Sequence, residues 1–443
     1  MARSKKSRKS HEGTGPMWRQ YLRSMGPGLI TGASDDDPSG IATYAQAGSK
    51  YGLSFLWTAL LSYPLMATVQ EICDRTALAT GEGLGELART RFDRLGQSVI
   101  HVLLAILIIA NTLNIAADLV AIGSGMKLLH AGPAWIWALV AGVAITALLV
   151  KGTFVRISIV FRALAAVLVV YLIVAVIVTH HWLRVLSYTV IPHIQFNKAY
   201  IALLVAILGT TISPYLFFWQ SANRLEEMRD DPRGGALPVP LRMRSRSMAA
   251  LKERTSRFDV FSGMAFSNIV MFAIIAATAE TLHVHHVTNI QSAAQAATAL
   301  KPFAGSLAST IFALGFIGSG FLAVPVLAGS GSVAVSGLLG KDWGFSRSIR
   351  EAPLFYALVG VGTIGGMAFS ILNVNPIQLL IFVAVINGVI AAPLLIVVLI
   401  VSSNRGIMGD YVNGRVAKVL GWLTFAIMTV ASIALFATGG ISF

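Results

Sequence analysis

Gly26-Pro-Gly-Leu-Ile-Thr-Gly-Ala-Ser34-Asp35-Asp36-Asp37-Pro38-Ser39-Gly40-Ile-Ala-Thr43-Tyr44 is the stretch on which the fold turns. It should be an apolar span, yet three carboxylates stand at its middle beside a proline and a glycine. An ionised carboxylate in hydrocarbon costs at least about 2.5 kcal/mol, so it must face protein, water or an ion. Pro38 cannot donate a backbone hydrogen bond and clashes with the preceding turn. Gly40 tolerates positive φ. Together they predict a short unwound stretch whose freed carbonyls, notably that of Ser34, point where Asp37 points. Carbonyls and carboxylates are the ligands a hard cation takes.

The rest of the chain reads as membrane-embedded too. Its 443 residues are 55% hydrophobic and 12% charged, with a mean hydropathy of +0.72. A soluble domain carries about 25% charge. Apolar runs predict an all-α membrane protein of about eleven spans, near residues 26–48, 52–79, 98–126, 133–150, 157–179, 199–228, 258–282, 303–330, 352–371, 376–402 and 416–438. The run 303–340 is long enough to hide a kink or a re-entrant piece. With the N-terminus in the cytoplasm, 29 of the 34 basic residues fall on the inner side, the bias that the positive-inside rule expects. The C-terminus is then outside, in a multi-pass protein of the cell membrane. Residues 1–25 form a basic cytoplasmic tail (Arg3, Lys5, Lys6, Arg8, Lys9, Arg19, Arg23), not a cleavable signal. An Arg-rich cytoplasmic loop, 229–257, with the run Arg242-Met-Arg-Ser-Arg246, divides spans 1–6 (26–228) from spans 7–11 (258–443). It contacts lipid headgroups or fixes topology. The net charge of +14 therefore points to lipid, not to nucleic acid. The single Cys73 excludes an internal disulfide and reads as a small core residue.

The sixth span repeats the device of the first: Gly209-Thr210-Thr211-Ile212-Ser213-Pro214-Tyr215 again combines a glycine, small hydroxyl residues and a mid-span proline. Interrupted helices at matching positions in two halves point to an inverted-repeat carrier with its site at the midplane. A pair of ordinary proline kinks is the plainer alternative, although it leaves the three acids unexplained.

At these residues the chain resembles the NRAMP family of divalent metal transporters. That family carries an Asp-Pro-Gly-Asn break in its first helix and a Met-Pro-His break in its sixth. The counterparts here are Asp37-Pro38-Ser39-Gly40 and Ser213-Pro214-Tyr215. Gly26-Pro-Gly28, Thr43, Gln70, Thr80-Gly81, Glu86-Leu87, Ala117-Asp118-Leu119, Gln220-Ser221-Ala222 and Ala265-Phe266-Ser267-Asn268 extend the likeness, strongest over spans 1–3, 6 and 7. The resemblance implies a LeuT-like, five-plus-five inverted repeat that imports a divalent metal substrate (Mn²⁺, Mg²⁺ or Fe²⁺) by alternating access. It implies no further cofactor and no obligate protein partner. It also implies metal ligands at Asp37 and at the carbonyls of Ser34 and Thr210.

Two family ligands are replaced: the asparagine position is Gly40 and the methionine position is Ser213. Loss of a thioether favours Mg²⁺, Ca²⁺ or Mn²⁺ over softer metals. Few protein ligands suit Mg²⁺, which keeps several waters, as in the magnesium-transporting branch related to NRAMP. Asp35 and Asp36 are candidates to hold those waters. A helical turn would point them apart, so that only one reaches the site. The family's proton-passing acids of the third helix fall on Asn111 and Ala121, with Asp118 retained, and its sixth-helix histidines on Tyr215 and Gln220. This predicts weak or absent proton coupling. Asp118 is either a relay or a structural carboxylate paired with Arg75. Asn268 and Asn387 approach the site or simply join helices. Glu71, Asp74 and Arg75 read as an ion pair or gate at the cytoplasmic end of span 2.

His283-Val-His285-His286 has spacing that binds Zn²⁺ or Cu²⁺, but no cysteine or carboxylate cluster completes it, and a solvated loop accounts for it. Gly329-Ser-Gly331 lacks the lysine of a phosphate-binding loop. No nucleophile–base pair or nucleotide fingerprint stands out, so an enzyme is not expected. Two alternatives remain beside a metal carrier. One is an amino-acid or amine carrier of the same fold, although three aspartates would repel a substrate carboxylate. The other is a membrane metal sensor that moves nothing.

Overall fold

The computed structural model describes residues 26–151, 168–230, 238–300, 305, 308–372 and 374–439. The basic tail, Arg156, Arg162, Arg233 and Lys301 lie outside the described residues. The principal helices of the described residues are α1 (Pro27–Asp35), α2 (Pro38–Tyr51), α3 (Trp57–Thr80), α4 (Leu84–Arg91), α5 (Arg94–Leu128), α6 (Ala134–Lys151), α7 (Val169–Val178), α8 (Trp182–Val190), α9 (Lys198–Thr211), α10 (Pro214–Asp230), α11 (Arg246–Thr278), α12 (Ala308–Leu338), α13 (Pro353–Ser370), α14 (Pro376–Ser403) and α15 (Arg415–Ala437).

Every segment read from the sequence holds helix in its described part. Among the described residues seven helices are long and apolar enough to cross a membrane alone, counting α9 with α10 as one. α3 is not among them, for Tyr63, Pro64, Gln70, Glu71, Asp74 and Arg75 all make it more polar. Its 24 residues nonetheless reach about 36 Å, a full hydrocarbon thickness. The 108° bend between Pro38–Phe55 and Trp57–Thr80 is thus a turn between two spans rather than a break within one. α8 is bent 117° from α7 and turns Leu183, Leu186 and Val190 outward, as a helix lying along the membrane surface does. α12 runs unbroken for 31 residues through Pro325, so no re-entrant piece interrupts it. α11 begins at Arg246, so part of the predicted Arg-rich loop is helix. Large apolar side chains stand exposed along the outer helices, among them Val102, Ile109, Val361, Ile364, Val430 and Ile433. Such a surface needs lipid, and the chain is a multi-pass membrane protein.

The first and sixth spans are both broken. α1 ends where Asp36 leaves helical geometry (φ −86°, ψ 52°), and Asp37 (φ −67°, ψ 170°) caps α2, with Pro38 in its first turn. Ile212 (φ −121°, ψ 54°) ends α9 in the same way, and Pro214 opens α10. Two glycine seams hold these halves in place. A β-carbon on Gly32 would lie 2.1 Å from the Gly263 carbonyl oxygen of α11, and one on Gly209 would lie 2.1 Å from the Ala384 carbonyl oxygen of α14. Backbone therefore meets backbone along α1–α11 and α9–α14, the close packing that small residues allow in a membrane. α5 runs through the remainder, packed against α6, α12, α13 and α14.

Candidate cation site

Asp37 is fixed by its own capping role. Its Oδ1 accepts from the Gly40 N–H at 2.8 Å and from the Ser39 hydroxyl at 2.6 Å. Oδ2 is left to face the other break, where the Tyr215 hydroxyl lies 3.3 Å away. The same hydroxyl lies 3.3 Å from the Ser34 carbonyl oxygen. One proton cannot serve both acceptors at once, so Tyr215 occupies the gap between a carboxylate and a freed carbonyl. All three residues are buried.

The sixth-span break meets this point less directly. The Ser213 hydroxyl is turned back onto its own helix, 2.9 Å from the Gly209 carbonyl and 2.8 Å from that of Thr210. The Thr210 hydroxyl lies 3.1 Å from the Tyr44 hydroxyl of α2. Tyr44 was not singled out from sequence, and its ring explains Gly40. A β-carbon there would stand 3.2 Å from the ring. Gly40 is helical and keeps φ negative, so its lack of a side chain serves space rather than the positive φ expected of it.

Other candidates go elsewhere. Asp35 and Asp36 both converge on the Ser267 hydroxyl of α11, at 2.9 and 3.3 Å. The expectation that they diverge fails because Asp36 is already outside the helix. Gln220 donates to Asp74 at 2.7 Å and so belongs to the charge network around Arg224 rather than to the breaks. Asn268 donates to Ser62 of α3 at 2.9 Å, and Asn387 and Asn114 pair with each other at 3.1 Å. Asn111 donates to the Leu327 carbonyl of α12 at 2.9 Å. Asp118 does not pair with Arg75, which is spent on Glu71 at 2.9 Å and on Asn413 at 2.8 Å. Both carboxylate oxygens of Asp118 are buried without a hydrogen-bond partner. Among the described residues no three His, Cys, Asp or Glu side chains converge as a metal cage, His283, His285 and His286 included. A cavity of about 1040 Å³ beside Lys127, His130, Trp135 and Thr310 touches neither break. The chemistry at the breaks decides the site, not that volume.

A buried charge network lies below the breaks. Arg224 of α10 pairs with Asp74 of α3 at 2.6 Å and with Asp259 of α11 at 3.0 Å. Asp259 accepts from the N–H groups of Gly26, Gly28 and Leu29, at 2.9, 2.8 and 3.2 Å. It thus neutralises the positive end of the α1 dipole. Ser256 also donates to Asp74. Cys73, beside Asp74, is a free and fully buried thiol. The sequence singles out Asp74 and Gln220 but not that they meet, nor that Arg224 and Ser256 join them from α10 and α11.

The profile of the natural resistance-associated macrophage protein-like family matches residues 28–438. The chain belongs to the NRAMP family. Among NRAMP relatives, the divalent metal cation transporter MntH of Ralstonia nicotianae is 26% identical over 437 residues, covering 94% of this chain and 91% of the relative. MntH of Acidiphilium cryptum is 28% identical, covering 88% and 85%. The Eremococcus coleocola manganese transporter superposes with a TM-score of 0.73 at 17% identity, covering 96% of this chain and 88% of that one. Mhp1, a nucleobase-cation-symport-1 family transporter, superposes at 0.56 with 14% identity, covering 94% and 91%. The two neighbours share the fold, a LeuT-like inverted repeat with broken first and sixth helices. The named relatives are transporters, not enzymes.

Proposed function

We propose that this NRAMP chain imports a hard divalent cation, Mg²⁺ or Mn²⁺ ahead of Fe²⁺, by alternating access. The ligands are the Asp37 carboxylate and the Ser34 and Thr210 carbonyls, with water completing the shell. The observation that carries this reading is the meeting of Asp37 Oδ2 and the Ser34 carbonyl oxygen at the Tyr215 hydroxyl, 3.3 Å from each, with a serine in place of a sulfur ligand. Oxygen-only donors in small number suit an ion that keeps its waters. Family membership and the MntH relatives support the divalent class. Gly40 and Ser213 support the hard end of it.

Transport proceeds with weak or absent proton coupling, since Asn111 is committed to α12 and Gln220 to Asp74. Eleven spans with the N-terminus inside and the C-terminus outside agree with the charge distribution. An inside-negative potential then favours entry of a divalent ion by ~4.6 kcal/mol per 100 mV. Uptake into proteoliposomes, with Mn²⁺, Fe²⁺ and Mg²⁺ in competition, tests the reading. Mg²⁺ should inhibit Mn²⁺ uptake, and Asp37→Ala should abolish it. Strong Fe²⁺ uptake untouched by Mg²⁺ would sink the hard-cation assignment.

A further inference from the structure

We infer that Asp35, Asp36 and Ser267 form a second cation subsite, on the α11 side of the broken first span, that takes the same class of hard divalent ion. The inference rests on the reading of the Asp37 face given above, and extends it. The three adjacent acids do not share one face. Asp37 spends Oδ1 on its cap and turns Oδ2 to Tyr215. Asp35 and Asp36 turn to a single hydroxyl on α11.

That hydroxyl has one proton, and two carboxylates compete for it. Asp35 Oδ1 and Asp36 Oδ2 have no hydrogen-bond partner, and both residues are fully buried. No salt bridge reaches either one among the described residues. Arg224 and Lys252 go to Asp74, Asp259 and Glu227, and Arg75 and Arg257 go to Glu71. Buried carboxylates are tolerated when paired or coordinated, and costly otherwise. One divalent ion on Asp37 leaves two further buried carboxylates on the α11 face with no cationic side chain paired to them among the described residues. Two carboxylate oxygens and a hydroxyl, all within reach of one point, are donors a hard cation accepts, with water supplying the remainder.

Calorimetric titration of Mn²⁺ into the full-length protein in lipid nanodiscs tests this. The wild type should show two binding events. Asp36→Asn and Ser267→Ala should each weaken one event by about 10-fold or more while leaving the other within about 2-fold. Asp37→Ala should remove the other event. Ser267→Ala, neutral and smaller, serves where melting curves show that Asp36→Asn does not fold. A single wild-type event that Asp36→Asn and Ser267→Ala leave unchanged overturns the subsite, and the pair then shares a proton. A single event weakened alike by all three variants also overturns it, because the break is then one site. An event that survives Asp37→Ala but not Asp36→Asn upholds the subsite and overturns the Asp37 assignment instead.

Discussion

Tyr215 fills, with one hydroxyl, the position between the carboxylate and the carbonyl that would hold an ion. An ion entering there must displace that hydroxyl from both partners or accept its oxygen as a ligand. Tyr215→Phe removes the hydroxyl and keeps the ring. It should raise the KM for Mg²⁺ about 3- to 10-fold in proteoliposome uptake, because a bound ion or its water loses one oxygen partner. Ser213→Met restores the sulfur that a softer ion prefers. Uptake competition should then shift toward Fe²⁺ and Cd²⁺ and away from Mg²⁺; an unchanged order of preference would show that this position does not select. The main features at this scale were legible in the sequence. A carboxylate before a proline is a cap in the making, and Asp37 is that cap. What could not be read was which neighbour leaves the helix. Asp36 does, and its departure sends Asp35 and Asp36 to the same serine. A helical count of 100° per residue places them apart.

At the scale of single elements, the N-terminal half of the first span is gripped in two ways. Gly32 lies against the Gly263 carbonyl with no room for a methyl group. Gly32→Ala should force α1 and α11 apart and cost about 1–3 kcal/mol, seen as a lower melting temperature without loss of the site residues. Asp259 holds the same half-helix by its N–H groups and is itself held by Arg224. If alternating access swings α1 away from α11, this contact has to break in each cycle. Asp259→Asn removes one of three carboxylates that Arg224 pairs with, Asp74 and Glu227 remaining, so the cost should fall below the ~3–5 kcal/mol of a buried charge left alone. The expected outcome is a population that opens toward the cytoplasm, read as a lower turnover rate with metal affinity nearly unchanged. Wild-type turnover in this variant would show that the contact only folds the chain. None of this was legible in the sequence. Neither Asp259 nor Arg224 stands out in the sequence, and only the crossing of α1, α3, α10 and α11 brings them together.

For the whole molecule, helix positions followed from hydropathy because the bilayer demands long apolar runs, and both breaks followed from proline and glycine against that background. Membrane order did not reveal which helices share a seam, since lipid and helix look alike to an apolar side chain. A carrier without a proton relay predicts a clear result. Proteoliposomes holding a pH-sensitive dye should show metal uptake with no acidification, and an imposed pH gradient should leave the rate within about 2-fold, since Asn111 and Gln220 are spent on the Leu327 carbonyl and on Asp74. Acidification in step with metal entry would return Asp118 to the role of a relay.

Cys73 adds a practical consequence. It is the single thiol of the chain and is wholly covered. The native sequence thus gives a nearly silent background for thiol-directed labels. A cysteine introduced at any exposed position can carry a fluorophore or spin label without prior mutagenesis. Since Cys73 adjoins the Asp74–Arg224 pair, any slow reaction of the native thiol with a water-soluble maleimide would time the loosening of that pair directly.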